Sequence, residues 1–264
     1  MQEKIKVITI GDYKNSILEN YFKDNENIEF LELALNENIE KLNNKLSNRD
    51  IVFLRSNELE TLLEIGKALK EKGIITVIVL EEKHVIENKE ILEKSFNTIF
   101  PVTKKGDIEN LLLELLKTID NIIFGICFIN LDIEDVKNML EDLGIAVFGT
   151  FNKNEENSEK ELVKSITYPF YNKTLKDSKK LLIHLDTLED VGLAESQVII
   201  EALRDESSKE IEDILFSLRI DTHLKNRIEC RFIAGIFKER EEKEKEISIL
   251  KNDLELKDIK YKNW

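Results

Sequence analysis

Apolar positions along this chain fall into two textures that alternate: short, continuous, β-branched runs and longer stretches spaced by three and four residues. Lys4-Ile5-Lys6-Val7-Ile8-Thr9-Ile10 ahead of Gly11 reads as a strand entering a turn, with helical spacing over 15–22. Further runs at Ile51-Val52-Phe53-Leu54, Ile74 to Leu80 and Thr98-Ile99-Phe100 read as buried parallel strands, because such strands are apolar on both faces. A helix over 59–72 separates two of them and stops at Gly73, as a helix C-cap does. The first hundred residues thus predict a small doubly wound α/β layer.

Over 107–123, Ile108, Leu111, Leu112, Leu115, Leu116 and Ile119 recur on one helical face, predicting a long helix through the centre of the molecule. Then come a helix over 132–143, a strand over 145–151, a helix over 158–167, the run Leu181-Leu182-Ile183-His184-Leu185 and a helix over 194–206. Two strands, 214–220 and 227–237, close this second α/β unit and could pair as antiparallel neighbours. From Lys238 a charged run leads into Ile247, Leu250, Leu254 and Tyr261 at near-heptad spacing. That tail reads either as a solvated helix or as a short partner-binding helix, since two heptads are marginal alone.

The 264 residues are 42% apolar, enough for a substantial core. No stretch of 18 apolar residues occurs and the N-terminus carries no leader pattern, so a cytoplasmic protein without direct membrane insertion is expected. The formal charge of −14, from 53 acidic and 39 basic residues, repels phosphate backbones and excludes nucleic acid as an expected partner. Cys127 and Cys230 sit in apolar runs, where a small buried hydrophobe is the ordinary reading. His84, His184 and His223 lack partners at metal-ligand spacing and read as surface or core residues. Neither a Gly-x-Ser-x-Gly elbow nor a Gly-Lys-Ser/Thr loop is present, so no independent catalytic centre, triad, metal or cofactor is predicted.

Phe128-Ile129-Asn130-Leu131-Asp132-Ile133-Glu134-Asp135-Val136-Lys137 resembles the Asn-x-Asp-x-x-Asp loop of the FtsZ/tubulin family, flanking residues included. Gly144, Ala146 and Gly149, Glu156-Asn157, Ile166 with Pro169, Leu181-Leu182, Glu189 to Glu195, Ile214-Leu215-Phe216 with Ile220-Asp221, and Phe232-Ile233-Ala234-Gly235-Ile236-Phe237 follow in order. Together they resemble the family's C-terminal domain over about half the chain. The N-terminal half fits more loosely, through Ile5-Lys6-Val7-Ile8, Asp50-Ile51-Val52-Phe53 and Thr98-Ile99-Phe100-Pro101. The resemblance implies a tubulin/FtsZ-like α/β fold. Residues 1–105 would form a reduced, degenerate nucleotide-binding-type layer, 106–131 the central helix and catalytic-type loop, 132–237 the C-terminal α/β domain, and 238–264 the charged helical tail.

The family's nucleotide chemistry is missing. Its members carry a glycine-rich first turn and a Gly-Gly-Gly-Thr-Gly-Thr-Gly loop, whose glycines let backbone N–H groups wrap phosphates. This chain has Gly11-Asp12-Tyr13-Lys14-Asn15-Ser16 and Leu54-Arg55-Ser56-Asn57-Glu58-Leu59-Glu60, with no glycine between Gly11 and Gly66. Asp12, Glu58 and Glu60 would set carboxylates where phosphates sit, at about 1 kcal/mol per charge pair in water and more when buried. No useful GTP affinity and no cofactor are expected.

In the family, the Asn-x-Asp-x-x-Asp loop reaches into the nucleotide pocket of a neighbouring subunit and helps position the hydrolytic water. Asn130, Asp132 and Asp135 would hold those positions here, acting in trans. The implied role is an FtsZ-like cytoskeletal or cell-division pseudo-GTPase that docks on FtsZ, as a filament cap or GTPase modulator, or on itself. One alternative is a reduced FtsZ-like GTPase that polymerises with GTP; another is a scaffold that works through its tail. Asp132 also reads, more simply, as the N-cap of the following helix, with Glu134 and Asp135 as favourable first-turn acids.

Overall fold

The computed structural model describes residues 3–12, 16–35, 37–42, 44–154, 164–176, 178–207 and 211–236. Nine strands are described: β1 (Ile5–Ile10), β2 (Ile28–Leu33), β3 (Ile51–Arg55), β4 (Ile75–Glu81), β5 (Thr98–Val102), β6 (Gly144–Lys153), β7 (Ser178–Thr187), β8 (Asp213–Ile220) and β9 (Ile228–Ile236). The helices are α1 (Ser16–Tyr21), α2 (Leu59–Glu71), α3 (Glu82–Ser95), α4 (Asp107–Phe124), α5 (Ile133–Glu141) and α6 (Leu193–Glu206). All nine strands form one sheet in the order β2-β1-β3-β4-β5-β6-β9-β7-β8. From β2 to β6 the pairing is parallel; β9 runs antiparallel to both β6 and β7, and β8 is parallel to β7.

β1, β3 and β5 are buried along their whole length because helices cover both faces, which explains their unbroken apolar sequences. α4 buries Leu111, Leu112, Leu115, Leu116, Ile119 and Ile122. Each such side chain contributes about 1.5–3 kcal/mol on leaving water. Its apolar face belongs to one core that also holds Val7, Phe53 and Val77 of the parallel strands and Leu182 and Ile233 beyond β6, so this helix joins the two halves of the sheet.

The joint between β5 and β6 is short, with Thr98 opposite Gly144 and Ile99 opposite Ile145. Side chains reinforce it: Thr98 Oγ1 donates to the Leu140 carbonyl at 2.7 Å and Asn97 Nδ2 to the Glu141 carbonyl at 3.0 Å, pinning the end of α5. Gly144 turns the chain between them at φ +63°, a conformation that disfavours a side chain.

Three expectations need correction. The last two strands are not neighbours; β7 lies between β8 and β9, because the α6 crossover returns β8 parallel to β7 on its far side. Of the helix expected over 158–167, residues 164 and 165 are helical, but residue 167 is extended and exchanges hydrogen bonds with Thr150; most of that segment lies outside the described residues. The sequence reading also passed over β2, whose Glu29 and Glu32 interrupt the apolar run that an edge strand does not need, and α3, which buries only Val85, Leu92 and Ser95. Glu156-Asn157, Phe237 and the tail over 238–264 lie outside the described residues.

Candidate functional site

α4 ends at Gly125, and the loop that follows carries Asn130, Asp132 and Asp135 at one end of the molecule. Ile126 is 96% exposed and Phe128 64% exposed. The loop is nevertheless held: Phe128 N and Ile129 N both donate to the Leu218 carbonyl of β8, at 2.7 and 3.1 Å, and Leu218 N donates back to Ile129 O at 3.0 Å. Cys127 Sγ adds a contact to the Asn121 carbonyl at 3.4 Å.

Asn130 is exposed, and Asp132 begins α5 as its N-cap. Asp135 N donates to Asp132 Oδ1 at 2.9 Å, and Asp132 N donates to Asp135 Oδ2 at 3.2 Å. This reciprocal capping box satisfies two backbone donors that a helix start otherwise leaves to water. Both carboxylates therefore have a structural task, and each retains an oxygen outside the box. Glu134, in the same first turn, pairs with Lys137 at 2.9 Å.

At the opposite end of α4, the C-terminal ends of β3 and β4 and the start of α2 enclose a cleft of about 150 Å³. Its apolar lining includes Leu54, Leu59, Leu62, Val79, Leu80 and Ile108. Arg55, His84, Lys105 and Glu81 also line it; Arg55 is buried and faces Glu109 at 3.7 Å, while Glu81 pairs with Lys83 at 3.3 Å.

The β3–α2 turn is built of side chains and contains no glycine. Ser56 Oγ accepts from Glu58 N at 3.0 Å. Glu58 is the extended N-cap of α2 without a side-chain hydrogen bond to the helix start, and Glu60 stands in its first turn, so two exposed carboxylates lie near the positive end of the helix. In the first turn only Gly11 permits a tight bend, at φ +80°, and a side chain there would press on Leu35 at 3.0 Å. Asp12 is exposed; residues 13–15 lie outside the described residues.

A polar cluster inside the second half of the sheet escaped the sequence reading. His184 of β7 faces Ser217 of β8 across the parallel register, with Nδ1 2.7 Å from Ser217 Oγ. Its Nε2 lies 3.3 Å from Asp186 Oδ1, within ion-pair distance but off the hydrogen-bonding direction. Serine, histidine and aspartate thus meet, yet all three are buried. Of the three histidines read as surface or core residues, His184 is a core one.

Asp186 further accepts from Arg219 Nε and Arg231 Nη1, both at 2.6 Å. Arg219 Nη1 donates to Asn121 Oδ1 at 3.3 Å, and Arg231 approaches Glu114 at 3.6 Å. The knot thereby ties the central helix to β7, β8 and β9. Burial alone would raise the Asp186 carboxyl, but the His184 ring and the Arg219 guanidinium outweigh it and hold it well below the ordinary carboxylate range. The spacing of His184 and Asp186 by two residues on one strand was the available signal; their partners come from strands whose pairing was not foreseen.

Both cysteines are free, Cys230 buried and Cys127 half-buried, and burial raises both thiols above their ordinary value. Among the described residues, no cluster of three or more His, Cys, Asp or Glu side chains is placed to hold a metal, and no helix is long and apolar enough to cross a membrane.

No family model matches the chain. A cell division protein FtsZ from Aquifex aeolicus is 24% identical over 84% of this chain and 70% of its own length. Among solved structures, an empty FtsZ dimer from M. jannaschii superposes with a TM-score of 0.67 at 17% identity, covering 89% of this chain and 88% of that one. TubZ from Bacillus thuringiensis serovar israelensis, in GDP-form protofilaments, gives 0.60 at 12% identity over 98% and 94% of the two chains. CetZ from Methanosaeta thermophila gives 0.56 at 12% over 98% and 99%. The nine-stranded sheet with its long central helix is the tubulin/FtsZ-like α/β fold, and the chain is a divergent FtsZ/tubulin-like protein.

Proposed function

We propose that this protein is an FtsZ-like cytoskeletal or cell-division component that no longer uses nucleotide and acts by docking, through the Asn130–Asp132–Asp135 loop, on a filament-forming partner. The observation that carries this reading is the contrast between the two ends of α4. At one end, an exposed, well-held loop offers Asn130, Asp132 and Asp135 to a neighbouring subunit. At the other, the turns that would wrap phosphates are walled by Leu54, Ser56, Asn57 and Leu59, with no glycine except Gly11 to let backbone N–H groups approach. A subunit built this way presents a docking face forward and no phosphate cradle behind.

The assemblies named for its structural neighbours, a dimer for FtsZ and protofilaments for TubZ, support a partner of the same fold. Asn130, Asp132 and Asp135 would act in trans, orienting groups in the partner's site while Asp132 and Asp135 brace each other. The competing reading, a reduced GTPase that polymerises with GTP, requires phosphate contacts from a turn bearing Glu58 and Glu60.

The test is to titrate the FtsZ of the same cell with this protein and with Asp132→Ala/Asp135→Ala, measuring GTPase rate and pelleting. A substoichiometric change that the double variant abolishes supports docking through the loop. No change at equimolar protein contradicts it and leaves Asp132 as a helix cap.

A further inference from the structure

We propose that the cleft at the C-terminal ends of β3 and β4 binds a small monocarboxylic acid with a benzene-sized aromatic or branched tail. The tail sits on the apolar lining, and Lys105 and His84 hold the carboxylate. The site lies at the opposite end of α4 from the docking loop and shares with the docking reading only the loss of nucleotide.

The wall of the cleft sets the tail. Leu54, Leu62, Val79 and Ile108 give an apolar lining to a volume of about 150 Å³. A dry apolar cavity of about that size accepts a benzene ring. Pockets of this kind hold a ligand by apolar contact and orient it with a few polar groups.

Charge sets the head group. Among the described residues, neither the Lys105 ammonium nor the His84 ring has a hydrogen-bonding or ion-pair partner, and both line the cleft. The other charges there are matched: Arg55 is buried with Nη1 3.7 Å from Glu109, and Glu81 pairs with Lys83 at 3.3 Å. The cleft is left with an ammonium at Lys105 and an imidazole N–H donor at His84. Ser56 adds a hydroxyl whose oxygen accepts from Glu58 N, leaving its O–H to donate.

One negative charge suits this site and several do not. Exposed Glu58 and Glu60 stand at the start of α2, and their repulsion grows with the charge of the ligand. A triphosphate also needs the wrap of backbone N–H groups that the glycine-free turn withholds. A carboxylate needs only a few charge-assisted hydrogen bonds.

Isothermal titration calorimetry of the full chain with hydrocinnamate and with isocaproate tests the site. Hydrocinnamyl alcohol keeps the tail without the charge, succinate keeps charge without an apolar tail, and GTP with magnesium is the third comparison. Saturable binding of at least one acid is expected, in the micromolar to millimolar range of ligands with about ten heavy atoms. The alcohol and succinate should bind at least about tenfold more weakly. Lys105→Gln/His84→Gln should weaken the acid by a similar factor while melting as a folded protein. Lys104→Gln, an exposed neighbour outside the cleft lining, should leave binding unchanged. Neither acid binding up to millimolar concentration, an alcohol that binds as tightly as its acid, or a double variant of unchanged affinity would overturn the proposal. No binding of either acid or of GTP would overturn this site alone and leave the docking reading standing, whereas GTP that binds and displaces the acid would overturn both.

Discussion

Asp132 and Asp135 each accept the other's backbone N–H across the first turn of α5, at 2.9 and 3.2 Å, so the residues proposed to act on a neighbour also hold their own loop in shape. Capping and docking separate by substitution. Asp132→Ala removes the cap and should cost about 0.5–2 kcal/mol in chemical denaturation. Asp132→Asn caps as well as aspartate does and should keep that stability while lowering the effect on FtsZ GTPase, if the negative charge is what the partner site uses. Equal FtsZ effects from Asp132→Asn and the wild type would remove the charge from the account.

The ring of Phe232 lies across Gly149, its register partner on β6, so closely that a Cβ there would stand 2.0 Å from Cζ. Gly149→Ala is therefore expected to destabilise the second half of the sheet by about 1–3 kcal/mol, the usual cost of overpacking. Pairing it with Phe232→Leu should relieve part of that cost, and a double-mutant cycle by urea unfolding measures the coupling. Purely additive effects would show that the ring moves aside freely.

The Asp186 knot makes stability depend on pH in one direction. The folded carboxyl is held below its unfolded value of about 3.9, so its contribution is fully present above that pH and is lost as pH falls below it. Asp186→Asn leaves Arg219 and Arg231 without their buried carboxylate and should cost about 3–5 kcal/mol at neutral pH. Urea unfolding from pH 7 down to pH 3 should show the variant losing less stability on acidification than the wild type. Parallel pH profiles would place the acid sensitivity elsewhere.

Much of the fold was legible because its signals are local. The β-branched runs of β1, β3, β4 and β5, the three- and four-residue spacing in α4, and Gly73 after α2, with φ +71°, each announce an element from nearby residues. The capping of α5 by Asp132 was legible for the same reason. What could not be read depends on pairing between distant segments. Nothing in 213–220 or 228–236 says that β7 will lie between those strands, and the meeting of His184 with Ser217 and of Asp186 with two arginines follows from that order. The cleft was not legible because Leu54, Leu62, Val79 and Ile108 read as core residues, and its remaining lining, from Arg55 to Asn57, Glu81, His84 and Lys105, comes together only in the folded chain.

Equilibrium dialysis of the isolated protein against labelled GTP with magnesium bears most directly on the central claim, since the proposed loss of nucleotide use rests on the glycine-free turn over Arg55–Glu58. No saturable binding up to millimolar GTP is predicted. Saturable binding in the micromolar range, weakened by substitutions at Ser56 or Lys105, would contradict the account and make the cleft a nucleotide site after all.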